Sequence, residues 1–173
     1  MLKINAEKDN IRALVPKYIL EIIAKDVEHF QISKYKLCNL ILLKFSLRFR
    51  SNHCQEMSFE EKEYLQFTLH KENTGFYIEI RKGINGMNES EMIREIFSSY
   101  AVLPSFLREV NLFREKIAFL MSSHKEYRVL KFHTIDGIVE GRIEKIDRNK
   151  KENYLQILVN GKIYYVSQIE IIS

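Results

Sequence analysis

The chain has 173 residues and a mass of 20.6 kDa, which is room for one ordinary domain or two small ones. Its 46% hydrophobic content is ample for a packed core and argues against disorder, and no stretch approaches the ~18 uninterrupted apolar residues of a membrane span. Net charge is +4 but unevenly placed: residues 1–50 hold ten Lys or Arg against five Asp or Glu, while the other 123 hold 17 against 18. The basic excess therefore sits in the first part of the chain, where it suits either a patch facing a polyanion or a solvated helix face. The start, Met1 to Lys8, has no apolar signal region, and the two cysteines, Cys38 and Cys54, suit free thiols in a reducing compartment. A cytoplasmic protein without membrane contact is expected.

In chain order, the first elements form a unit that is written twice, about 54 residues apart. Asn10-Ile11-Arg12-Ala13-Leu14-Val15-Pro16-Lys17 leads into an apolar-periodic segment to Phe30, a break at Gln31-Ile32-Ser33, and a second apolar segment from Lys34 to Phe49. Tyr64-Leu65-Gln66-Phe67-Thr68-Leu69-His70-Lys71 leads into a segment to Ile84, a break at Asn85-Gly86-Met87-Asn88, and a segment from Glu89 to Tyr100. Val15 to Ser33 spans 18 positions and Leu69 to Asn88 spans 19, so one residue of slack aligns the copies. Each copy predicts a strand, a helix, a turn and a helix. Gly86 tolerates a left-handed backbone at a helix end, and Asn88 with Glu91 three residues on suits a capping box. Ser33 takes the same cap position in the first copy, and Pro16 is pre-organised for a first helical turn. The segment from Lys34 is apolar nearly all round, which predicts a buried helix between the two copies.

This order, with the turn Gly86-Met87-Asn88-Glu89-Ser90-Glu91 followed by Met92-Ile93-Arg94, resembles the ribbon-helix-helix family of DNA-binding proteins. The first copy departs from it by lacking the glycine. The resemblance implies a two-stranded antiparallel ribbon that enters the major groove and touches base edges with its outward side chains. Strand alternation places Ile11, Ala13 and Val15 inward and Asn10, Arg12 and Leu14 outward; in the second copy Leu65, Phe67 and Leu69 face inward and Tyr64, Gln66 and Thr68 outward. Arg, Asn and Gln have the bidentate geometry that reads guanine or adenine, and Leu14 offers a contact for a thymine methyl. Ser33 and Lys34, at a helix N-terminus, suit a phosphate, as do Lys17 and Lys71 after the strands. Glu89 and Glu91 make the equivalent second helix start less welcoming to an anion. The copies can pair within one chain as a pseudo-dimer, reading an asymmetric site, or between two chains of a homodimer.

Ala101-Val102-Leu103-Pro104 ends the repeat, and Phe106, Val110, Phe113, Ile117 and Leu120 predict one connecting helix from Ser105 to Ser123. From Tyr127 the period becomes two. Arg128–Thr134, Ile138–Ile146, Tyr154–Val159, Ile163–Val166 and Ile169–Ile172 predict five short strands, with a tight hairpin at Asn160-Gly161. The fold expected is α+β: unit 1 over residues 8–52, unit 2 over 58–103, a connector helix over 104–125, and a small five-stranded SH3- or Sm-like barrel over 126–173. The run Ile93 to Pro104, then Arg108-Glu109, then the small barrel with Asn153-Tyr154-Leu155 and Tyr164-Tyr165-Val166-Ser167-Gln168-Ile169, resembles bacterial WYL-domain proteins. Here Asn153 replaces the family's Trp, and Tyr165 and Gln168 stand where that family usually has Arg. The resemblance implies an Sm-like sensory or oligomerisation module, with Lys131, His133, Tyr154, Tyr165 and Gln168 lining a ligand groove.

The five histidines (His29, His53, His70, His124 and His133) are scattered, and there is no Gly-rich phosphate loop, zinc spacing or HExxH motif. The expectation is therefore a protein that is not an enzyme and needs no cofactor or metal. Two functions are expected as alternatives. One is a duplex-DNA-binding transcriptional regulator. The other, which WYL relatives in RNA-guided defence imply, is an accessory or inhibitor protein of a CRISPR-type system that binds single-stranded RNA or a protein partner.

Overall fold

The structure, a computed structural model, describes residues 10–46, 61–82 and 88–172. It is an α+β protein whose described residues fall into two compact units. One holds the chain up to Glu28 together with Ile32–Val102, and the other holds His29–Gln31 together with the chain from Leu103. The predicted ends of two segments (Leu47 to Phe49 and Ile84), the turn residues Asn85, Gly86 and Met87, and His53 and Cys54 lie outside the described residues.

The first unit contains both copies of the repeat except His29–Gln31. β1 (Asn10–Pro16) alternates as its sequence demands, with Ile11, Ala13 and Val15 buried. Pro16 ends the strand instead of opening the helix, and α1 (Lys17–Phe30) starts directly after it. A left-handed residue, Gln31 at φ 55°, turns the chain into α2 (Lys34–Phe45). Ser33 caps α2 by accepting the Lys36 N–H at 3.1 Å. β2 (Lys62–Thr68) buries Leu65 and Phe67. A short 3₁₀ turn, Lys71–Asn73, then intervenes before α3 (Thr74–Lys82), an element the strand-to-helix pattern does not contain. Asn88 caps α4 (Glu89–Ala101) by accepting the Glu91 N–H at 2.9 Å. The Glu91 carboxylate accepts from the Asn88 side-chain amide at 3.2 Å, where a full capping box would use the backbone.

α2 buries one face, packed on α4 and β2 through Leu37, Ile41, Leu42 and Phe45, while Tyr35 and Leu43 stay exposed, so the apolar helix expected to be buried is only partly so. Phe45 meets Tyr100 edge-on at 5.2 Å and Phe67 lies 5.7 Å from Phe97, so each copy supplies rings to one shared core. Each such fully buried side chain contributes roughly 1.5–3 kcal/mol. Tyr100 donates its hydroxyl to the buried carboxylate of Asp26. Cys38 also lies in this core, where burial pushes its thiol up to about 12 against the opposing charge of Lys34. In a Cys54→Ser variant, alkylation of Cys38 at pH 8.5 is expected to run on the order of a thousandfold slower in the folded protein than in denaturant. A timed iodoacetamide reaction followed by mass measurement checks this, and equal rates would mean the core opens freely.

The second unit begins with α5 (Ser105–Leu112) and α6 (Arg114–Lys125). The single helix expected from Ser105 to Ser123 is thus broken at Phe113, whose backbone sits at φ −120°, ψ 37°. Apolar spacing of three and four runs straight through such a one-residue break, so periodicity does not reveal it. The five strands expected are present: β3 (Val129–Thr134), β4 (Gly137–Arg148), β5 (Leu155–Val159), β6 (Lys162–Tyr165) and β7 (Glu170–Ile172). They form one antiparallel sheet in the order β6-β5-β4-β3-β7. No closed barrel forms among the described residues, because β6 and β7 are its two edges and do not pair. A bulge between Ile143 and Lys145 bends the long β4. Asn160 (φ 51°) and Gly161 (φ 74°) make the tight β5–β6 hairpin. Gly141 has to stay small, since a Cβ there would lie 2.9 Å from Cγ1 of buried Val159. Phe132, Ile143, Ile157, Val159, Val166 and Ile169 pack against Ile117 and Leu120 of α6.

Candidate nucleic-acid interface

The two copies pair within the chain. β1 and β2 run antiparallel over seven residue pairs, with Asn10 opposite Thr68, Arg12 opposite Gln66 and Leu14 opposite Tyr64. One face of this ribbon is core. The other gathers Asn10, Arg12, Leu14, Tyr64, Gln66 and Thr68, all exposed except the half-buried Leu14. Alternation alone sorts these six to one face, and the register brings them side by side.

Contacts on that face are specific. The Thr68 hydroxyl donates to Asn10 Oδ1 at 3.1 Å. The Arg12 guanidinium lies over the Tyr64 ring, 3.8 Å from its centroid, although Tyr64 itself is 56% exposed. Behind the ribbon, Arg94 of α4 donates its Nε–H to the Leu14 carbonyl at 3.1 Å, tying the second copy's last helix to the first copy's strand. In sequence Arg94 stands out only as part of the turn signature.

The cationic positions differ from one another. Lys17 lies 3.6 Å from Glu61, both well exposed, so the pair is worth little and leaves the ammonium available. Lys34 and Lys71 are exposed, Lys34 in the first turn of α2 and Lys71 in the 3₁₀ turn. The Ser33 oxygen is engaged by Lys36 N–H, so an anion at this helix start would meet backbone N–H groups and lysine ammoniums before it met the hydroxyl.

Beside this helix start is a groove of about 470 Å³, lined by Tyr35, Lys36, Leu40, Leu43, His70 and Glu72 among others. Asn39 forms its buried floor. Its amide donates to the Tyr35 and Thr68 carbonyls at 2.8 and 3.0 Å, and its oxygen accepts the His70 N–H at 2.7 Å. Asn73 approaches the same oxygen at 3.3 Å. The sequence signal for this hub was a single amide in an otherwise apolar helix, Leu37-Cys38-Asn39-Leu40-Ile41, a position where a buried polar group needs partners.

In the second unit the expected ligand groove does not assemble as one set. Tyr154, Tyr165 and Gln168 gather around His29: Tyr154 stacks on its ring at 3.6 Å, Tyr165 meets it edge-on at 4.6 Å, and Gln168 donates to its carbonyl at 2.7 Å. Tyr154 is 1% exposed, a core residue and no groove wall. Lys131 and His133 are exposed on β3, on the face opposite buried Phe132, and Lys131 lies 3.9 Å from Glu140. Period-two alternation separates them from the core-facing residues, a split that motif position alone does not show.

Fold and face together define a class: an α+β protein with a paired-strand ribbon on one helical unit and a five-stranded antiparallel sheet in the other. No family model matches the sequence, and no curated protein matches it. The structure is similar to a crystal structure of a CRISPR Cas-related protein, with a TM-score of 0.61 and 10% sequence identity over 95% of this chain. At that identity the likeness is one of fold. This chain spans 64% of that protein's length. Among the described residues no helix is long and apolar enough to cross a membrane.

Proposed function

We propose that this chain is a nucleic-acid-binding protein of the ribbon-helix-helix kind, acting by binding and not as an enzyme, with duplex DNA as its ligand. The carrying observation is the in-register pairing of β1 with β2, which collects Asn10, Arg12, Gln66 and Thr68 on one exposed strip. A two-stranded ribbon of this kind fits the major groove, where side-chain forks distinguish base pairs. Lys17, Lys34, Lys71 and the backbone at Ser33 would hold phosphates, and Leu14 and Tyr64 would supply apolar contact. Because the two strands belong to one chain, one molecule carries a complete ribbon, and a homodimer would present two.

The second unit is read as an Sm-like, WYL-like module with a sensory or oligomerising role. The strand order β6-β5-β4-β3-β7, with a 3₁₀ turn at Val166–Gln168 before β7, supports that reading although the sheet is open.

Arg12→Ala is expected to weaken binding to a selected duplex by ~1–3 kcal/mol and to relax its preference at one base pair. Fluorescence anisotropy across a salt series measures this. A loss that is equal on every duplex would make Arg12 a phosphate contact instead.

A second reading has its own support. The CRISPR Cas-related structural neighbour favours an accessory or inhibitor protein of an RNA-guided defence system, binding single-stranded RNA or a protein of that system. Exposed Tyr64 and Arg12 would then serve as a stacking surface for unpaired bases. The same salt series run on single-stranded RNA decides between them: preference for RNA overturns the duplex reading, and binding to neither ligand leaves the protein partner.

A further inference from the structure

The ribbon has two chemically different ends, and its register shows why. The two copies lie about 54 residues apart, so Arg12 and Gln66 are equivalent positions, and they face each other at the ribbon's centre. A ribbon built from two identical strands would repeat one end at the other. Here one end carries Asn10 and Thr68, already hydrogen-bonded to each other, and the other carries Leu14 and Tyr64. The central arginine is not neutral between them. Its guanidinium carbon lies over the Tyr64 ring, 3.8 Å from the centroid, and so it leans toward the aromatic end.

That stack has a chemical consequence. A guanidinium recognises guanine through two parallel N–H groups in its own plane, directed at O6 and N7. A guanidinium held against a ring by its face keeps its N–H edge free to point outward. The contact also removes rotamer freedom that a long exposed side chain would otherwise lose on binding. At the other end the Asn10 oxygen already accepts from Thr68, so its amide N–H groups are what remain to offer, which suits acceptors on the bases.

We propose that the ribbon reads its target in one direction only, with Tyr64 as the positioning residue that presents Arg12 to a guanine at one end of a non-palindromic duplex site. This rests on the duplex-binding reading above and adds polarity, the preferred base and the role of Tyr64. Tyr64 acts on base choice through Arg12, so its loss is felt chiefly as lost discrimination at one position, beyond the small general loss of its own apolar contact.

The test uses the full chain. Sites are selected from a randomised duplex pool, and the selected site is compared by anisotropy with the same site carrying its arginine-read guanine pair reversed. The expected result is a site without two-fold symmetry in which that reversal costs roughly ten- to a hundredfold in affinity. Tyr64→Leu is expected to shrink the discrimination to about threefold or less, while binding to random duplex falls by a smaller factor than the discrimination does. Tyr64→Phe is expected to restore it, because the ring remains, and it serves as the deciding variant if Tyr64→Leu fails to fold. Arg12→Lys should lose the discrimination even with Tyr64 in place, since an ammonium has no fork. A single-ribbon footprint that is itself palindromic, or full discrimination in Tyr64→Leu, overturns the proposal while the duplex reading stands. Absence of binding to any duplex overturns both.

Discussion

Replacing Asn39 with alanine is expected to destabilise the protein by about 2–4 kcal/mol, more than any single substitution on the ribbon's exposed face. Asn39 is 6% exposed, and its side chain joins three parts of the first unit that local sequence does not connect. Its amide satisfies the Thr68 carbonyl at the end of β2, its oxygen satisfies the His70 N–H, and Asn73 of the 3₁₀ turn closes on it. Alanine would leave those groups without their partner, each at about 1–3 kcal/mol when buried. Two effects limit the sum. Alanine is the better helix former by roughly 0.6 kcal/mol, and the neighbouring groove admits water to part of the site. Asn39→Asp is expected to be no milder. It keeps the acceptor for His70 but turns a carboxylate oxygen toward the Tyr35 and Thr68 carbonyls. Denaturant unfolding gives the magnitude, and hydrogen exchange at the His70 amide gives the location. Unchanged His70 protection in Asn39→Ala would show that the hub does not hold β2 to α2.

The second large effect is expected at Tyr154. Tyr154→Ala should cost about 3–5 kcal/mol, because it removes a ring that is 1% exposed and leaves a cavity that its neighbours cannot fill. The ring stacks on His29 with an interplanar angle of 7° and meets Phe30 edge-on at 5.8 Å, while Phe30 in turn meets Phe113 at 5.3 Å. Removing Tyr154 therefore loosens a run of aromatic contacts among His29, Phe30 and Phe113 within the second unit. Tyr154→Phe keeps the stack and should lose less. Denaturant unfolding monitored by near-ultraviolet circular dichroism checks both variants. The result also separates two roles for this residue: a ligand-groove position would tolerate alanine with under about 1 kcal/mol lost, as exposed positions do. A loss that small would return Tyr154 to the groove that motif position first implied.

The difference between these residues shows what sequence carries by itself. Ile11, Ala13 and Val15 alternate, Asn88 precedes Glu91 by three, and Asn160-Gly161 separates two period-two runs. Each of these signals is complete within a few residues, and the strand, the helix start and the hairpin all stand where they point. The exposed set Asn10, Arg12, Gln66 and Thr68 was legible for the same reason, since alternation sorts faces without knowledge of a partner.

What joins residues far apart in the chain was left to the tertiary structure. Either copy could have paired with a second molecule, and only the folded chain sets Arg12 opposite Gln66 and so brings its guanidinium onto Tyr64. The Asn39 hub spans 29 residues to Thr68, and the His29–Tyr154 stack joins the end of α1 to the strand region. The break at Phe113 and the open sheet edges are likewise invisible to periodicity, which records which side chains are apolar but not what they meet. Local pattern is written in spacing, whereas register, stacking and hydrogen-bond partnership across the fold depend on which distant surfaces close together, and that is decided by the packing of the whole core.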